Sequence, residues 1–275
     1  MLADLRDKSV LITGGTRGIG LATGLAFGRA GARCVLTHRW GSADEDAIRT
    51  RFAEAGAAVP MIVEADVAAQ EDTEALLDAM SAEHDGVDVF VSNVAMASIV
   101  RDLDDYVLRD LQRSIEHSAW PIVDYPRRIK IAFGRFPRYV VGLSSDGPDS
   151  YNQNYDFVAA SKSVLETLCR YLNYRLLDEG VRVNVVRSRL VRTQSLRDTF
   201  GNDFEQFALD FLTERDFIGS AEVADVVLAL CSGLLDGISG QVLMVDRGAA
   251  FRDNLMRLFD QRDALGLNNR KGRRP

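Results

Sequence analysis

The sequence contains few cysteines, no long apolar run and no excess of basic residues. Its three cysteines, Cys34, Cys169 and Cys231, lie far apart, and their spacing fits neither a zinc site nor a disulfide framework. No apolar run approaches the roughly 20 residues of a membrane-spanning helix, and the charged N-terminus lacks the apolar centre of a signal peptide. A formal net charge of −7 argues against a nucleic-acid-binding surface. We therefore expect a cytoplasmic protein that binds no metal, nucleic acid or membrane.

The C-terminal extension, residues 251–275, differs from the rest of the chain. Its last six residues contain four positive charges, at Arg270, Lys271, Arg273 and Arg274. A solvated, mobile end is the expected state of such a stretch, and contact with an anionic partner is the alternative. Four preceding apolar residues are spaced for a short amphipathic helix, which either docks on a neighbouring subunit or packs loosely: Leu255, Met256, Leu258 and Phe259.

Apolar segments typical of strands alternate with helical patterns along the chain. The 275 residues, 47% of them hydrophobic, suffice for one well-buried domain and leave little for a second. We predict strands at 10–13, 34–37, 59–64, 87–92, 139–143, 181–186 and 241–245. The helical patterns lie at 19–30, 43–55, 73–83, 103–131, 155–179, 193–213 and 221–234. This alternation predicts a single α/β domain over residues 1–250, with a doubly wound, parallel, seven-stranded sheet.

A glycine-rich turn, Thr13–Gly20, follows the first strand and opens the first helix. Glycines permit a tight turn there and let phosphate oxygens approach backbone N–H groups at the positive end of the helix. The turn therefore predicts a Rossmann-type domain that binds a dinucleotide. The residues expected to bind it are Gly14, Thr16, Arg17, Gly18, Ile19 and Gly20.

The end of the second strand indicates which dinucleotide is bound. A carboxylate at that position would bind the adenosine ribose 2′-hydroxyl and repel a 2′-phosphate. This chain has His38 and Arg39 there instead, and Arg17 lies in the glycine turn. Because guanidinium groups bind phosphate well, the two arginines favour NADPH over NADH. The alternative is that Arg39 is an ordinary surface residue.

Several short motifs together resemble the short-chain dehydrogenase/reductase family over residues 7 to about 250. The motifs are Thr13–Gly20, Asp66-Val67, Ser92–Ala95, Ser144-Ser145 and the pair Tyr155 and Lys162. The resemblance implies a nicotinamide cofactor and a small-molecule substrate. It also implies that the cofactor is contacted at the positions of Asp66, Val67, Asn93, Val191 and Thr193.

This sequence departs from the family pattern in two places near the expected active site. Ser188-Arg189 replaces the usual Pro-Gly after the sixth strand, so Arg189 either crowds the nicotinamide, binds a negative group or pairs with an acidic residue such as Asp146. In the helix before the fifth strand, His117 or Ser118 stands near the usual asparagine. We interpret His117 as a polar helix-face residue and not as a catalyst.

The spacing of Tyr155 and Lys162 is the most informative departure. Most family members place the tyrosine four residues before the lysine, where this chain has Val158. The seven-residue spacing, and the sequence around it including Tyr151, is similar to enoyl-acyl-carrier-protein reductase III. The resemblance implies that Lys162 holds the nicotinamide ribose and that Tyr155 donates a hydrogen bond to the substrate. Ser144 or Ser145 is then expected to orient the substrate carbonyl.

A physical argument connects this spacing with C=C reduction. In an α,β-unsaturated thioester the hydride reaches the β carbon, while negative charge develops on the more distant carbonyl oxygen. A donor moved three residues along a helix shifts by about 4.5 Å. The acid should therefore lie farther from the nicotinamide when it stabilises an enolate.

The sequence thus predicts an NADPH-dependent reductase of an activated C=C, with the substrate possibly carried as a thioester. A carbonyl reductase and a non-catalytic NADPH-binding protein are the alternatives. We expect a substrate lid at about 194–216, whose phenylalanines line a pocket or belong to the core: Phe200, Phe204, Phe207 and Phe211, followed by Leu212. As the family commonly forms tetramers, we also expect a homo-oligomer, paired through the helices near 103–131 and 155–179.

Overall fold

A computed structural model describes residues 4–266 and contains a parallel sheet of seven strands. The strands are β1 (Ser9–Ile12), β2 (Arg33–His38), β3 (Met61–Glu64), β4 (Val89–Ser92), β5 (Tyr139–Ser145), β6 (Arg182–Ser188) and β7 (Val242–Val245). Their order is β3-β2-β1-β4-β5-β6-β7, with every neighbouring pair parallel. The predicted fold class is therefore confirmed. The order reverses between β1 and β4, which opens a crevice at the carboxyl edge of the sheet.

Helices cover both faces of this sheet. They are α1 (Gly18–Arg29), α2 (Glu45–Glu54), α3 (Gln70–Ser81), α4 (Leu108–Ser118), α5 (Pro121–Phe133), α6 (Asp156–Arg175), α7 (Gln194–Phe200), α8 (Phe204–Leu209), α9 (Ser220–Leu230) and α10 (Asn254–Asp260). Short 3-10 turns lie at Leu103–Asp105, Glu214–Asp216 and Ala249–Phe251. Within residues 4–266, no helix is long and apolar enough to cross a membrane.

The region predicted to be helical over 103–131 consists of more than one helical element. A 3-10 turn precedes α4, which ends at Ser118, and α5 starts again at Pro121. Proline has no N–H to donate and its φ angle suits the first turn of a helix, so Pro121 favours a new helix at this point. The interruption separates α4, which packs on α6, from α5, which packs against β4 and β5.

Strand alternation divides the core into two layers. Val10 and Ile12 of β1 point into the layer under α1 and α9, whereas Leu11 points into the layer under α3, α5 and α6. In the second layer Tyr125 stacks on Phe90 with ring centroids 4.9 Å apart. All three cysteines are buried and none forms a disulfide, as expected. Both sheet faces are therefore covered, which explains the nearly continuous apolar composition of the strands.

The C-terminal extension contains the predicted helix as α10. Leu255, Met256 and Phe259 on this helix are exposed. Arg252, just before the helix, contacts the buried Asp216 at the end of the predicted lid. The basic residues 270–274 lie outside the described residues. The first part of the extension therefore packs against the lid region.

Close packing of α6 on β5 fixes the position of the lysine predicted to be catalytic. Gly142 of β5 has no side chain, and a Cβ atom there would lie 2.9 Å from Ile122 and 3.0 Å from Leu165. Leu165 is fully buried one turn after Lys162. The glycine thus allows α6 to approach the sheet and brings Lys162 to the end of β5.

Truncating Leu165 to alanine should lower the free energy of unfolding by about 2–5 kcal/mol, because it removes buried methyl groups and leaves a cavity. Leu177→Ala is the matched control, since Leu177 is 53% exposed, and should change stability by no more than about 0.5 kcal/mol. Urea unfolding measures both values. Equal effects of the two substitutions would contradict the described packing of α6.

Candidate active site

A cavity of about 1000 Å³ lies at the carboxyl edge of the sheet. The glycine turn and the end of β4 border one side of it. The end of β5, the start of α6 and the lid border the other side. Tyr155, Lys162, Ser144, Ser145 and Asn93 all line this cavity, so the structure brings the predicted reactive residues together with the glycine turn.

The glycine turn has the form needed to receive phosphate groups. Gly14 and Gly18 have φ angles of 62° and 55°, in the left-handed region that favours glycine. A Cβ atom on Gly20 would lie 2.3 Å from the carbonyl oxygen of Gly14, so only glycine fits there. The Asn93 amide donates to the carbonyl oxygens of Thr13 and Gly14, both at 3.0 Å. Asn93 therefore holds the turn in place, besides lining the cavity.

The other residues of the turn that are predicted to bind the cofactor differ in whether they line the cavity. Arg17 and Ile19 line the cavity, while Thr16 is buried behind the turn. Thr193 lies directly against the turn, because a Cβ atom on Gly18 would lie 3.6 Å from the Thr193 methyl group. Val191 lines the same cavity. The structure thus places Thr193 beside the glycine turn and brings Val191 to the cavity that the turn borders.

A cluster of side chains that the sequence did not predict lies near the ends of β2 and β3. This is the adenine end of the expected cofactor site. Arg39 contacts the Asp66 carboxylate, lies 2.8 Å from Nε2 of His117 and stacks on Trp40. Nδ1 of His117 lies 2.8 Å from the carbonyl oxygen of Arg113, which fits a ring that donates from Nδ1 and accepts at Nε2. Arg39 therefore already has partners within the protein, and its role in binding a 2′-phosphate stays a prediction.

Four residues predicted to bind the cofactor lie beyond the edge of the cavity, near the ends of β2 and β3: His38, Arg39, Asp66 and Val67. His38 is buried, with Nε2 3.8 Å from the Glu45 carboxylate. Val67 is also buried. Arg39 and Asp66 are partly exposed and can meet a cofactor, whereas the His38 side chain is buried and does not line the cavity; its role as a direct ligand stays a prediction.

Lys162 is buried at the floor of the cavity. Its Nζ atom donates to the carbonyl oxygen of Leu143 at 2.8 Å. Burial lowers the pKa of Lys162 from its usual 10.5 to about 8, although the nearby Glu166 carboxylate opposes the shift. The lysine therefore titrates near pH 8, and its charge is sensitive to any group that binds beside it.

Tyr155 lies directly before the first residue of α6 and is half-buried. Burial raises the pKa of its phenol, against the lowering effect of the Ser145 hydroxyl. Val158, at the position where most relatives have the tyrosine, is buried in the core. Tyr151 is 86% exposed on the loop before Tyr155. Tyr155 thus lines the cavity together with Lys162 and contacts Ser145, and Tyr151 lines the same cavity from the exposed loop.

Only one of the two serines is available to a substrate. The Ser144 hydroxyl donates to the Glu166 carboxylate at 2.6 Å, so its proton is already used. Ser145 instead accepts from the backbone N–H of Gly147 at 3.3 Å and lies beside Tyr155. Of the two predicted residues, the contacts favour Ser145 and assign Ser144 to the support of Glu166.

Two arginines at the end of β6 form ion pairs with the loop that precedes Tyr155. Arg187 makes two hydrogen bonds of 2.6 Å to the buried Glu166 and also contacts Asp149 of the loop. Arg189 pairs with Asp146 at 3.2 Å, which selects one of the three alternatives considered for Arg189. The sequence did not predict the role of Glu166. Its position four residues after Lys162, on the same helix face, is the one signal that pointed to it.

Ser118 is one of the two residues that stand near the position usually held by asparagine. Its hydroxyl is fully buried and accepts from the backbone N–H of Met96 at 3.0 Å. His117 belongs to the cluster at the adenine end and has no contact with Tyr155 or Lys162. The interpretation of His117 as a non-catalytic residue therefore fits its position. Within residues 4–266, no group of three or more histidine, cysteine or carboxylate side chains could hold a metal ion.

The lid lines the outer part of the cavity. Thr193 begins α7 by accepting from the N–H of Leu196 at 3.2 Å, and Gly201 separates α7 from α8. Phe200 stacks at 6.3 Å from the ring of Tyr155. The aromatic residues considered above line the cavity rather than the main core: Phe200, Phe204, Phe207 and Phe211, together with Leu212. The lid thus gives the cavity an apolar wall.

The depressed pKa of Lys162 predicts a change in stability with pH. Below about pH 8 the amine is charged in both states, and burial of the charge opposes folding. Between about 8 and 10.5 the native amine is neutral while the unfolded one is still charged, so stability rises with pH relative to a chain without this group. The unfolding free energy of the wild type minus that of Lys162→Met should therefore be higher at pH 9.5 than at pH 7. Urea unfolding of both proteins at each pH measures this difference, and a difference that falls or stays constant contradicts the burial.

Comparisons with known proteins agree with this geometry. The family model described as enoyl-(acyl carrier protein) reductase matches residues 14–250. A 1-cyclohexenylcarbonyl-CoA reductase from Streptomyces collinus is 30% identical over 249 residues, which cover 90% of this chain and 88% of the relative. A 3beta-hydroxysteroid dehydrogenase 1 from Eggerthella lenta is 28% identical over 253 residues, which cover 90% of this chain and 95% of the relative.

Solved structures show the same fold at lower identity. A 7 alpha-hydroxysteroid dehydrogenase complexed with NADH and 7-oxo glycochenodeoxycholic acid superimposes with a TM-score of 0.78 at 23% identity, over 89% of this chain and 94% of the other. With the family model matched over residues 14–250, the chain belongs to the short-chain dehydrogenase/reductase family and is an oxidoreductase of that type.

Proposed function

We propose that the protein is an NADPH-dependent reductase of an activated C=C, with an enoyl thioester as its substrate. The observation that supports this proposal is that Tyr155 and Lys162 line the same cavity, while the position of the usual tyrosine is filled by the buried Val158. The family model described as an enoyl reductase and the relative that acts on a cyclohexenylcarbonyl thioester support the same chemistry.

The chain has the residues needed to hold a nicotinamide dinucleotide. The glycine turn offers a cradle that a Cβ atom on Gly20 would fill, and Arg17 lines the cavity beside it. Thr193 lies beside the turn and could contact the diphosphate there. When bound, the reduced cofactor supplies the hydride. The other steps of the reaction belong to side chains of this protein.

Tyr155 and Lys162 divide the electrostatic work in this mechanism. The Tyr155 hydroxyl donates to the substrate carbonyl oxygen, on which enolate charge develops as the hydride reaches the β carbon. The Lys162 ammonium holds the ribose hydroxyls and stabilises negative charge at the phenol oxygen. Ser145 orients the carbonyl. The phenylalanines of the proposed lid give this side of the cavity an apolar wall, and an apolar surrounding would strengthen these interactions.

The preference for NADPH rests on two arginines. Arg17 lines the cavity in the glycine turn, and Arg39 follows β2, where a carboxylate would repel a 2′-phosphate. The Arg39 guanidinium already contacts Asp66 and His117, so a bound 2′-phosphate would be an additional partner of this guanidinium. A guanidinium has five N–H donors and can serve both a carboxylate and a phosphate.

Reduction of a ketone is the second candidate. It is favoured by the similarity to hydroxysteroid dehydrogenases and by Ser145 beside Tyr155, since a serine and a tyrosine can together bind a carbonyl oxygen next to the reacting carbon. A protein that binds NADPH without catalysis is the third, and the assembled cavity argues against it.

The domain boundaries, the oligomeric state and the cellular location are part of the same proposal. Residues 1–250 form the reductase domain, with 194–216 as its lid and 251–275 as the extension. We propose a cytoplasmic homo-oligomer that pairs through α4 and α6. On α6, Tyr171 and Tyr174 are exposed aromatic residues suited to such a contact, and the buried free thiols fit a reducing compartment.

Parallel assays with crotonyl-CoA and acetoacetyl-CoA test the reaction. With NADPH, we expect oxidation of the cofactor with the enoyl thioester and little with the keto thioester. Tyr155→Phe should lower turnover by more than about tenfold with little change in NADPH affinity, because it removes one proton donor and no cofactor contact. Tyr174→Phe is the control, since Tyr174 is exposed on α6 and does not line the cavity, and it should retain activity.

The opposite substrate preference would establish the ketone reductase. NADPH binding without oxidation by either thioester would support the non-catalytic alternative. Unchanged turnover of Tyr155→Phe would remove this residue from the mechanism, whichever substrate is used.

Replacing Arg39 with glutamine should weaken NADPH binding by about tenfold and change NADH binding little, because it removes a phosphate-binding cation and leaves the Asp66 carboxylate unpaired. Arg49→Gln is the control, since Arg49 pairs with Glu45 on the surface of α2. Fluorescence titration with each nucleotide measures the affinities. If Arg39→Gln weakens both nucleotides equally, Arg39 does not select the 2′-phosphate.

A further inference from the structure

The cavity wall differs in charge from the protein as a whole. The chain has a formal net charge of −7. Its cavity, however, is lined by four cationic residues and two carboxylates: Arg17, Lys162, Arg189, Arg257, Asp146 and Asp203. An excess of cations on the wall of a cleft attracts anionic ligands and disfavours cationic ones. The cavity is therefore better suited to an anionic ligand than the net charge of the chain suggests.

Three of these cations already have a role. Lys162 is buried and donates to Leu143, and Arg189 pairs with Asp146. Arg17 belongs to the glycine turn that faces the cofactor phosphates. Arg257 has no carboxylate within 4 Å among residues 4–266, and the rest of the sequence contains no aspartate or glutamate. It is thus a cation of the cavity wall that the proposed mechanism does not use.

The structure holds Arg257 at the rim of the cavity. The residue lies on α10, and its Nη1 atom donates to the carbonyl oxygen of Phe211 in the lid. Among the described residues, the other guanidinium nitrogens have no hydrogen-bond partner. Its neighbours on α10, Leu255 and Met256, are exposed, whereas Phe207 and Phe211 line the cavity beside it. An anchored cation therefore stands between an apolar wall and solvent.

This arrangement fits a ligand with an apolar inner end and an anionic outer end. A thioester that reacts at Tyr155 places its acyl group inside the cavity and its pantetheine arm toward the rim. The guanidinium fork matches the geometry of a phosphate oxygen pair and remains charged at any physiological pH. We propose that Arg257 binds the phosphate of the phosphopantetheine arm of the substrate; this assignment rests on the proposed enoyl thioester reaction.

The test compares three crotonyl thioesters that share an acyl group: those of coenzyme A, 4′-phosphopantetheine and pantetheine, of which only the last has no phosphate. Arg257→Gln should raise KM about tenfold for the first two and leave the third within about twofold, because a charge-assisted contact to phosphate is lost. Arg257→Lys, which keeps the charge, should recover part of the difference. Arg262→Gln is the control, since Arg262 follows α10 and does not line the cavity.

Binding of the corresponding butyryl thioesters to the protein with NADP⁺, measured by calorimetry, reports the same contact without turnover. An equal loss of affinity for all three thioesters in Arg257→Gln would show that Arg257 only supports the lid, and it would overturn the proposal. No loss for any of them, or a loss confined to the coenzyme A thioester, would also overturn it. If crotonyl thioesters are not reduced but butyryl-phosphopantetheine binding depends on Arg257, the proposed reaction fails and the phosphate site stands.

Discussion

The burial of the Lys162 amine at the end of β5 is the interaction on which the site depends. One carbonyl oxygen accepts its hydrogen bond, and Glu166 lies one helical turn away. A buried ammonium without compensation would be too costly to keep charged. Glu166 provides negative charge, and Arg187 fixes that carboxylate with two hydrogen bonds. The reactive amine is thus the innermost member of a chain of charges that extends to the loop before Tyr155.

The same chain connects catalysis with the fold. Arg187 belongs to β6, Glu166 to α6 and Asp149 to the loop between β5 and α6. Gly142 allows these elements to approach closely enough for the contacts to form. A substitution that moves α6 away from the sheet would therefore affect the environment of Lys162 more than it affects the outer elements. Packing and electrostatics act here on the same few residues.

Local patterns explain what the sequence could predict. The glycine turn and the alternation of strands and helices are short-range features, and the structure has them as expected, whereas the roles of Tyr155 and Lys162, which both line the cavity, stay a prediction. The break before Pro121 was also readable, because proline favours the start of a helix over its interior. The cluster of Arg39, Asp66 and His117 was not, since 27 and 51 residues separate its members and only the folded sheet brings them together. The same limit applies to the partners of Ser144.

The stacking of Phe200 on Tyr155 places a residue of α7 against the proposed acid. Burial raises the pKa of the Tyr155 phenol, and the Phe200 ring covers part of that phenol. A displacement of α7 would therefore expose one aromatic face of Tyr155 to water and change the pKa of its hydroxyl. The strength of the proposed acid is in this way coupled to the position of α7.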